Sequence, residues 1–127
     1  MIVDASALVA VALREPGFEA LRLKLASASS VAVGAPTLAE AAIVLTAKGA
    51  DAEALLGPIL RDAAIAVVPF GEAHRQASLA AYVTYGKGRH PARLNFGNCL
   101  SYAMARVAAE PLLCVGEDFA KTDLELA

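Results

Sequence analysis

Short runs of apolar residues, many of them β-branched, alternate along the chain with longer segments in which apolar positions recur every three or four residues. Met1-Ile2-Val3, Val31-Ala32-Val33, Ile65-Ala66-Val67-Val68 and Leu112-Leu113-Cys114-Val115 contain no polar position. Runs of that kind read as strands buried on both faces. The segments between them predict helices over about Ala7–Leu13, Phe18–Leu25, Thr37–Lys48 (stopped by Gly49), Asp51–Asp62 (disturbed at Gly57-Pro58), Gly71–Tyr85 and Asn98–Ala109. The tail Thr122–Leu126 alternates polar with apolar and predicts a short edge strand. Strands alternating with helices give a parallel sheet covered on both faces, hence an α/β fold: a three-layer α/β/α sandwich around a central parallel sheet of four or five strands. At 127 residues the chain makes one domain, 1–127.

Ligands of such sheets bind at the carboxyl ends of the strands, and acids collect there. Asp4 directly follows the first run, Glu40 lies just past the second, and Glu117-Asp118 follow the last. Asn98 opens the last helix beside them. Each has a competing local role: Asp4 or Ser6 as a helix cap, Thr37-x-x-Glu40 as a capping box, Asn98 as an N-cap. Carboxylates held roughly 5 Å apart repel by about 3 kcal/mol per pair at an effective dielectric near 20. A cluster of them binds protons or a cation. Oxygen ligands with no histidine or cysteine at a useful spacing select Mg²⁺, with Mn²⁺ as a substitute, over Zn²⁺.

Composition and charge add two points. Hydrophobic residues make up 57% of the chain, yet no apolar run approaches the roughly 18 residues of a membrane span. Nothing resembles a secretory leader. The expectation is a cytoplasmic protein with no membrane association, whose apolar surplus is core or is covered by a partner. Cys99 and Cys114 stand alone in apolar surroundings and read as buried thiols. The net charge of −2 hides an uneven layout. From Ala73 to Ala109 there is no acid and five bases, Arg75, Lys87, Arg89, Arg93 and Arg106, while the rest holds six bases against thirteen acids. A basic segment in an acidic frame suits a polyanion beside a cation site. Its exposed part is the loop Gly86–Arg93, with Lys87, Arg89, His90 and Arg93 as nucleic-acid contacts and Tyr82 or Tyr85 as a stacking or packing residue. Arg106 is placed within reach of the acids, His74 on the surface, and Met104 and Phe119 in the core.

Four ordered blocks, MIVDASAL, APTLAEAAIVL, RHPARLNFGNCLSYAMA and LLCVGEDFAKTDL, span nearly the whole chain. Together they resemble PIN-domain ribonucleases of the VapC toxin type. The resemblance implies a Mg²⁺-dependent endoribonuclease that cuts a structured RNA of the tRNA or rRNA class, a VapB-type antitoxin that blocks the site, and a homodimer. It implies that Asp4, Glu40, Asn98 and Asp118 match the four family acids. Asp4, Asn98 and Asp118 stand at the metal, with Ser6 and Glu117 in supporting places. One departure matters: the third acid of the family is Asn98 here, which keeps a carbonyl oxygen and loses the charge. A deliberate inactivating replacement is favoured over a naturally weakened enzyme, because the motif around it is intact. Two other functions compete. A phosphatase or phosphoryl-accepting receiver also places acids at strand ends, but carries a second acid where Ser6 stands. An inert PIN-like module that binds RNA or a partner fits Asn98 as it stands.

Overall fold

The computed structural model describes the whole chain, Met1–Ala127, and the four apolar runs form one sheet. Strands β1 (Ile2–Val3), β2 (Ala32–Gly34), β3 (Ala66–Val68) and β4 (Leu112–Leu113) lie in the order β3-β2-β1-β4, all parallel. Ile2 pairs with Ala32 on one side and Leu112 on the other. β1 is therefore central, with a neighbour from early in the chain on one side and one from its end on the other. That is the switch point of an open parallel sheet, the place where a crevice forms, and Asp4 is the residue that leaves it.

Six helices cover the two faces: α1 (Ala5–Ala12), α2 (Phe18–Ser27), α3 (Ala35–Ala47), α4 (Ala52–Asp62), α5 (Glu72–Tyr85) and α6 (Phe96–Ala108). Successive residues of a strand point to opposite faces, so each short strand feeds two cores. Val3, Val33 and Leu113 pack with Leu8, Leu25, Leu45 and Leu56 on one side. Ile2 and Leu112 pack with Leu94, Cys99, Tyr102, Met104 and Phe119 on the other. Burying each such side chain contributes about 1.5–3 kcal/mol, which is how strands two or three residues long hold their register. Met104 and Phe119 are core residues as expected.

Three local expectations are corrected. The tail adds only a single parallel bridge, Leu126 to Leu112, so the sheet has four strands. Pro58 sits inside α4 without breaking it; its missing N–H leaves the carbonyl of Ala54 without a helical partner, on the exposed side of the helix. α3 begins at Ala35, not at Thr37, with Pro36 in its first turn and Gly34 as N-cap. Proline favours that position because its absent N–H would be unpaired there anyway. Thr37 is consequently inside the helix and buried, its hydroxyl 3.3 Å from that of Ser101 on α6. The two helices approach closely at this end because Gly34 has no side chain: a Cβ there would lie 2.8 Å from Cγ of Met104. Contact between α3 and α6 brings Glu40 and Asn98 to the same sheet edge as Asp4. No helix is long and apolar enough to cross a membrane.

Candidate active site

Asp4 is both a cap and a site residue. It is the N-cap of α1, its Oδ2 accepting from the Ser6 amide at 3.0 Å and from the Ser6 hydroxyl at 2.5 Å. Both contacts fall on Oδ2 and leave Oδ1 for the crevice. Ser6 Oγ in turn accepts from the Val115 amide at 3.0 Å. One hydroxyl thus ties the end of β1 to the segment that leaves β4 and carries Glu117 and Asp118.

Glu40 is not in a capping box, since the N-cap of α3 is Gly34, three residues before Thr37, and it makes no side-chain bond. Its carboxyl is half-buried and is pushed above the usual carboxylate range, first by burial and then by the charge of Asp4. Gly97 on α6 backs it: a Cβ there would stand 2.6 Å from Glu40 Oε1. This glycine is a positioning device that sequence reasoning missed, because its only signal is the need for close approach.

Asn98 is not the N-cap of α6. That place belongs to Asn95, whose side chain accepts from the Asn98 amide at 2.8 Å, while Asn98 Oδ1 accepts from the Asn95 amide at 3.1 Å. The remaining group, Asn98 Nδ2, faces Asp118 Oδ2 at 3.4 Å. Where a carboxylate would repel Asp118, the amide donates to it.

The basic segment divides in the fold. Arg75 pairs with Glu72 and Arg106 with Asp123, so Arg106 does not serve the acids as expected. Arg89 lies over the ring of Tyr82, 5.2 Å from its centre. Lys87 and Arg93, by contrast, line one open hollow of about 410 Å³ together with Asn95, Glu117, Asp118 and Lys121. Lys121 was not anticipated, since it lies outside the acid-free segment. His90 works within the loop: its Nδ1 accepts from the Ala92 amide at 3.1 Å and its ring meets Tyr85 edge-on. Tyr85 packs against Tyr102 as well. The loop is pinned at both ends by the bonds Leu94 N to Tyr85 O and Lys87 N to Leu94 O.

The oxygen groups here are the carboxylates of Asp4, Glu40 and Asp118, while the Asn98 carbonyl is held by the Asn95 amide. Such a set fits a hard divalent cation in kind and falls one charge short. As they stand, no three carboxylate, imidazole or thiol groups lie close enough together to hold one metal ion. Cys114 nearby is pushed up to about 11 by burial and then by the charges of Asp4 and Asp118, so it is an inert thiol.

The sequence profile of the PIN domain matches residues 1–125. Ribonuclease VapC36 of Mycobacterium tuberculosis is 45% identical over 127 residues, covering 98% of this chain and 91% of the relative. This chain belongs to the VapC branch of the PIN-domain family. A ribonuclease VapC of Mycolicibacterium smegmatis is 39% identical over 98% of the chain and 97% of its own length. Among solved structures, VapC20 of M. tuberculosis, a sarcin-ricin loop cleaving toxin, superposes with a TM-score of 0.78 at 18% identity over 99% of this chain and 97% of that one. A chain of a toxin–antitoxin complex from Klebsiella pneumoniae gives 0.70 at 15% identity over 99% and 95%. Those two likenesses are of fold.

The electrostatics of this VapC domain make one direct prediction. Because the folded state raises the pKa of Glu40, its ionised form works against folding. The parent therefore loses stability as pH rises from the ordinary carboxyl value near 4.5 through the folded value. Glu40→Gln should be the more stable protein at neutral pH by up to about 1 kcal/mol, a figure kept low because solvent screens a half-exposed carboxylate. The advantage should vanish in acid. Thermal melts of both proteins across pH 3 to 8 would check this, and equal pH profiles would contradict it.

Proposed function

We propose that this VapC domain is a divalent-cation-dependent endoribonuclease toxin, neutralised by a VapB-type antitoxin, in which Asn98 weakens cleavage. What supports the reading is that Asp4 bears on Glu40, that Asn98 faces Asp118, and that Lys87 and Arg93 share one hollow with Asp118. Membership of a family whose curated relatives are named ribonucleases supports it.

Asp4, Asp118 and the Asn98 carbonyl are the groups we assign to Mg²⁺, or Mn²⁺ in its place. Bound there, the ion supplies a low-pKa water and stabilises charge on the phosphoryl oxygens. The chain's own part is positional and protonic. Ser6 fixes Asp4, Gly97 leaves room for Glu40, and Glu40, whose proton affinity is raised, is suited to accept the proton of the attacking water. Lys87 and Arg93 hold the RNA backbone. Water adds to phosphorus, the bond to the 3′-oxygen breaks, and the products carry a 5′-phosphate and a 3′-hydroxyl. Arg89 and His90, engaged with Tyr82 and Tyr85, shape the loop and meet RNA at its margin.

The surplus of apolar residues has a place in this reading. An open trough of about 390 Å³ between α1, α2 and α4, lined by Val11, Phe18, Leu25, Leu55 and Ile59, is the surface we assign to the antitoxin. Ile43 on α3, and Leu79 and Val83 on α5, are all more than half exposed, and we assign exposed apolar positions of this kind to contact with a second copy. The reaction takes place in the cytoplasm. A second reading, an inert module that binds RNA without cutting it, is favoured by one observation, the Asn98 amide turned toward Asp118.

The first of two measurements separates them, and the second tests the RNA path common to both. Labelled structured RNA should be cut in Mg²⁺ and spared in EDTA, with 5′-phosphate ends; cleavage that survives the chelator rules the mechanism out. Replacing Lys87 and Arg93 together by alanine should weaken RNA binding about equally for all sequences and flatten its salt dependence by about two phosphate contacts. An unchanged salt slope would remove both residues from the RNA path.

A further inference from the structure

Phe96 is 80% exposed, more than any other large apolar side chain, and it joins neither core. Its place is nevertheless fixed. It is the first residue of α6, between the N-cap Asn95 and Gly97. Asn95 is locked to Asn98 by two hydrogen bonds and lines the hollow with Lys87, Arg93 and Asp118. Gly97 lies against the carboxylate of Glu40. Both neighbours of the ring therefore belong to the site. The hollow itself contains cations for phosphates and no aromatic face. The other rings nearby are engaged: Tyr85 with Tyr102 and His90, Tyr82 beneath Arg89.

We propose that Phe96 is the stacking platform for an unpaired RNA base adjoining the phosphate held at the acidic crevice. The inference rests on the ribonuclease reading and adds to it the side chain that receives the base. Single-stranded RNA is held by cations along its backbone and by aromatic faces under its splayed bases, and stacking tolerates any base because each has a π-face. An exposed ring on the residue after Asn95, which lines the hollow with Lys87 and Arg93, completes that pair of devices.

The test uses the chain as it stands, whose Asn98 keeps turnover low, and two fluorescein-labelled RNA hairpins, one with an ordinary unpaired loop and one with abasic loop positions. Phe96→Ala should bind the ordinary hairpin roughly tenfold more weakly, and Phe96→Trp should restore binding. The abasic hairpin should bind the parent as weakly as the ordinary one binds Phe96→Ala, with no further loss when both changes are combined. The melting temperature of Phe96→Ala should match the parent's. The proposal is overturned by unchanged binding, by equal losses on both hairpins, or by a lowered melting temperature that makes the ring structural. It is equally overturned if Phe96→Ala binds RNA normally but loses the antitoxin. If the parent binds neither hairpin, the ribonuclease reading itself fails; binding that depends on Lys87 and Arg93 but ignores Phe96 removes this inference alone.

Discussion

Asn98→Asp should raise Mg²⁺-dependent RNA cleavage by about a hundredfold or more. The reasoning is local. At present the amide spends its Oδ1 on the Asn95 amide and its Nδ2 on Asp118. A carboxylate would keep the first contact, since an acid in the first turn of a helix is well placed toward the macrodipole. It would turn the second from a donor facing Asp118 into a like charge. Alone, that costs stability; with a divalent cation it adds an anionic ligand. Restoring a few kcal/mol of charge stabilisation in the transition state is worth a factor of about a hundred or more. A readout independent of catalysis follows: the variant should melt below the parent in EDTA and above it in millimolar Mg²⁺. Equal melting temperatures under both conditions would show that the third position does not face the ion, and a variant that binds Mg²⁺ yet stays inert would favour the non-cleaving module.

Gly97→Ala should separate stability from activity. Alanine is the better helix residue by up to about 1 kcal/mol, and the backbone of Gly97 is not in the left-handed region. The added Cβ would stand 2.6 Å from Glu40 Oε1, so the flexible end of Glu40 must move. Folding tolerates that shift and the chemistry does not, because a displacement near 1 Å in a reacting group costs on the order of a hundredfold. Introduced alongside Asn98→Asp, Gly97→Ala should leave the melting temperature unchanged or higher while cleavage falls by ten- to a hundredfold. Cleavage that persists would remove Glu40 from the reaction; a fall in melting temperature would mean that the fold itself depends on the missing side chain.

The fold was legible because the strands of a buried parallel sheet are unbroken apolar runs, and each helix between them is marked by glycine, proline or a cap. What misled was local competition at helix starts. Thr37-x-x-Glu40 matches a capping box, yet Pro36 lets the helix begin earlier, and the buried contact of Thr37 with Ser101 outweighs an exposed cap. Asn98 and Asn95 are both good caps, and sequence alone does not say which of them opens the helix. The acids could be placed at one edge from topology. Their supports, the Gly97 backing and the Ser6 bridge to Val115, depend on distances between elements that no spacing along the chain encodes. The basic segment read as one patch because partners such as Glu72 and Asp123, which withdraw Arg75 and Arg106 from it, lie outside it in sequence.

The central claim is that Asp4, Glu40, Asp118 and the side chain at position 98 serve one cation. Calorimetric titration of Mg²⁺ into the Asn98→Asp protein tests it most directly. The account predicts a single site whose heat disappears when Asp4 or Asp118 is also replaced by asparagine, and which is much weaker in the parent. Binding that is indifferent to those replacements, or a titration with no heat at all in a folded protein, would contradict it.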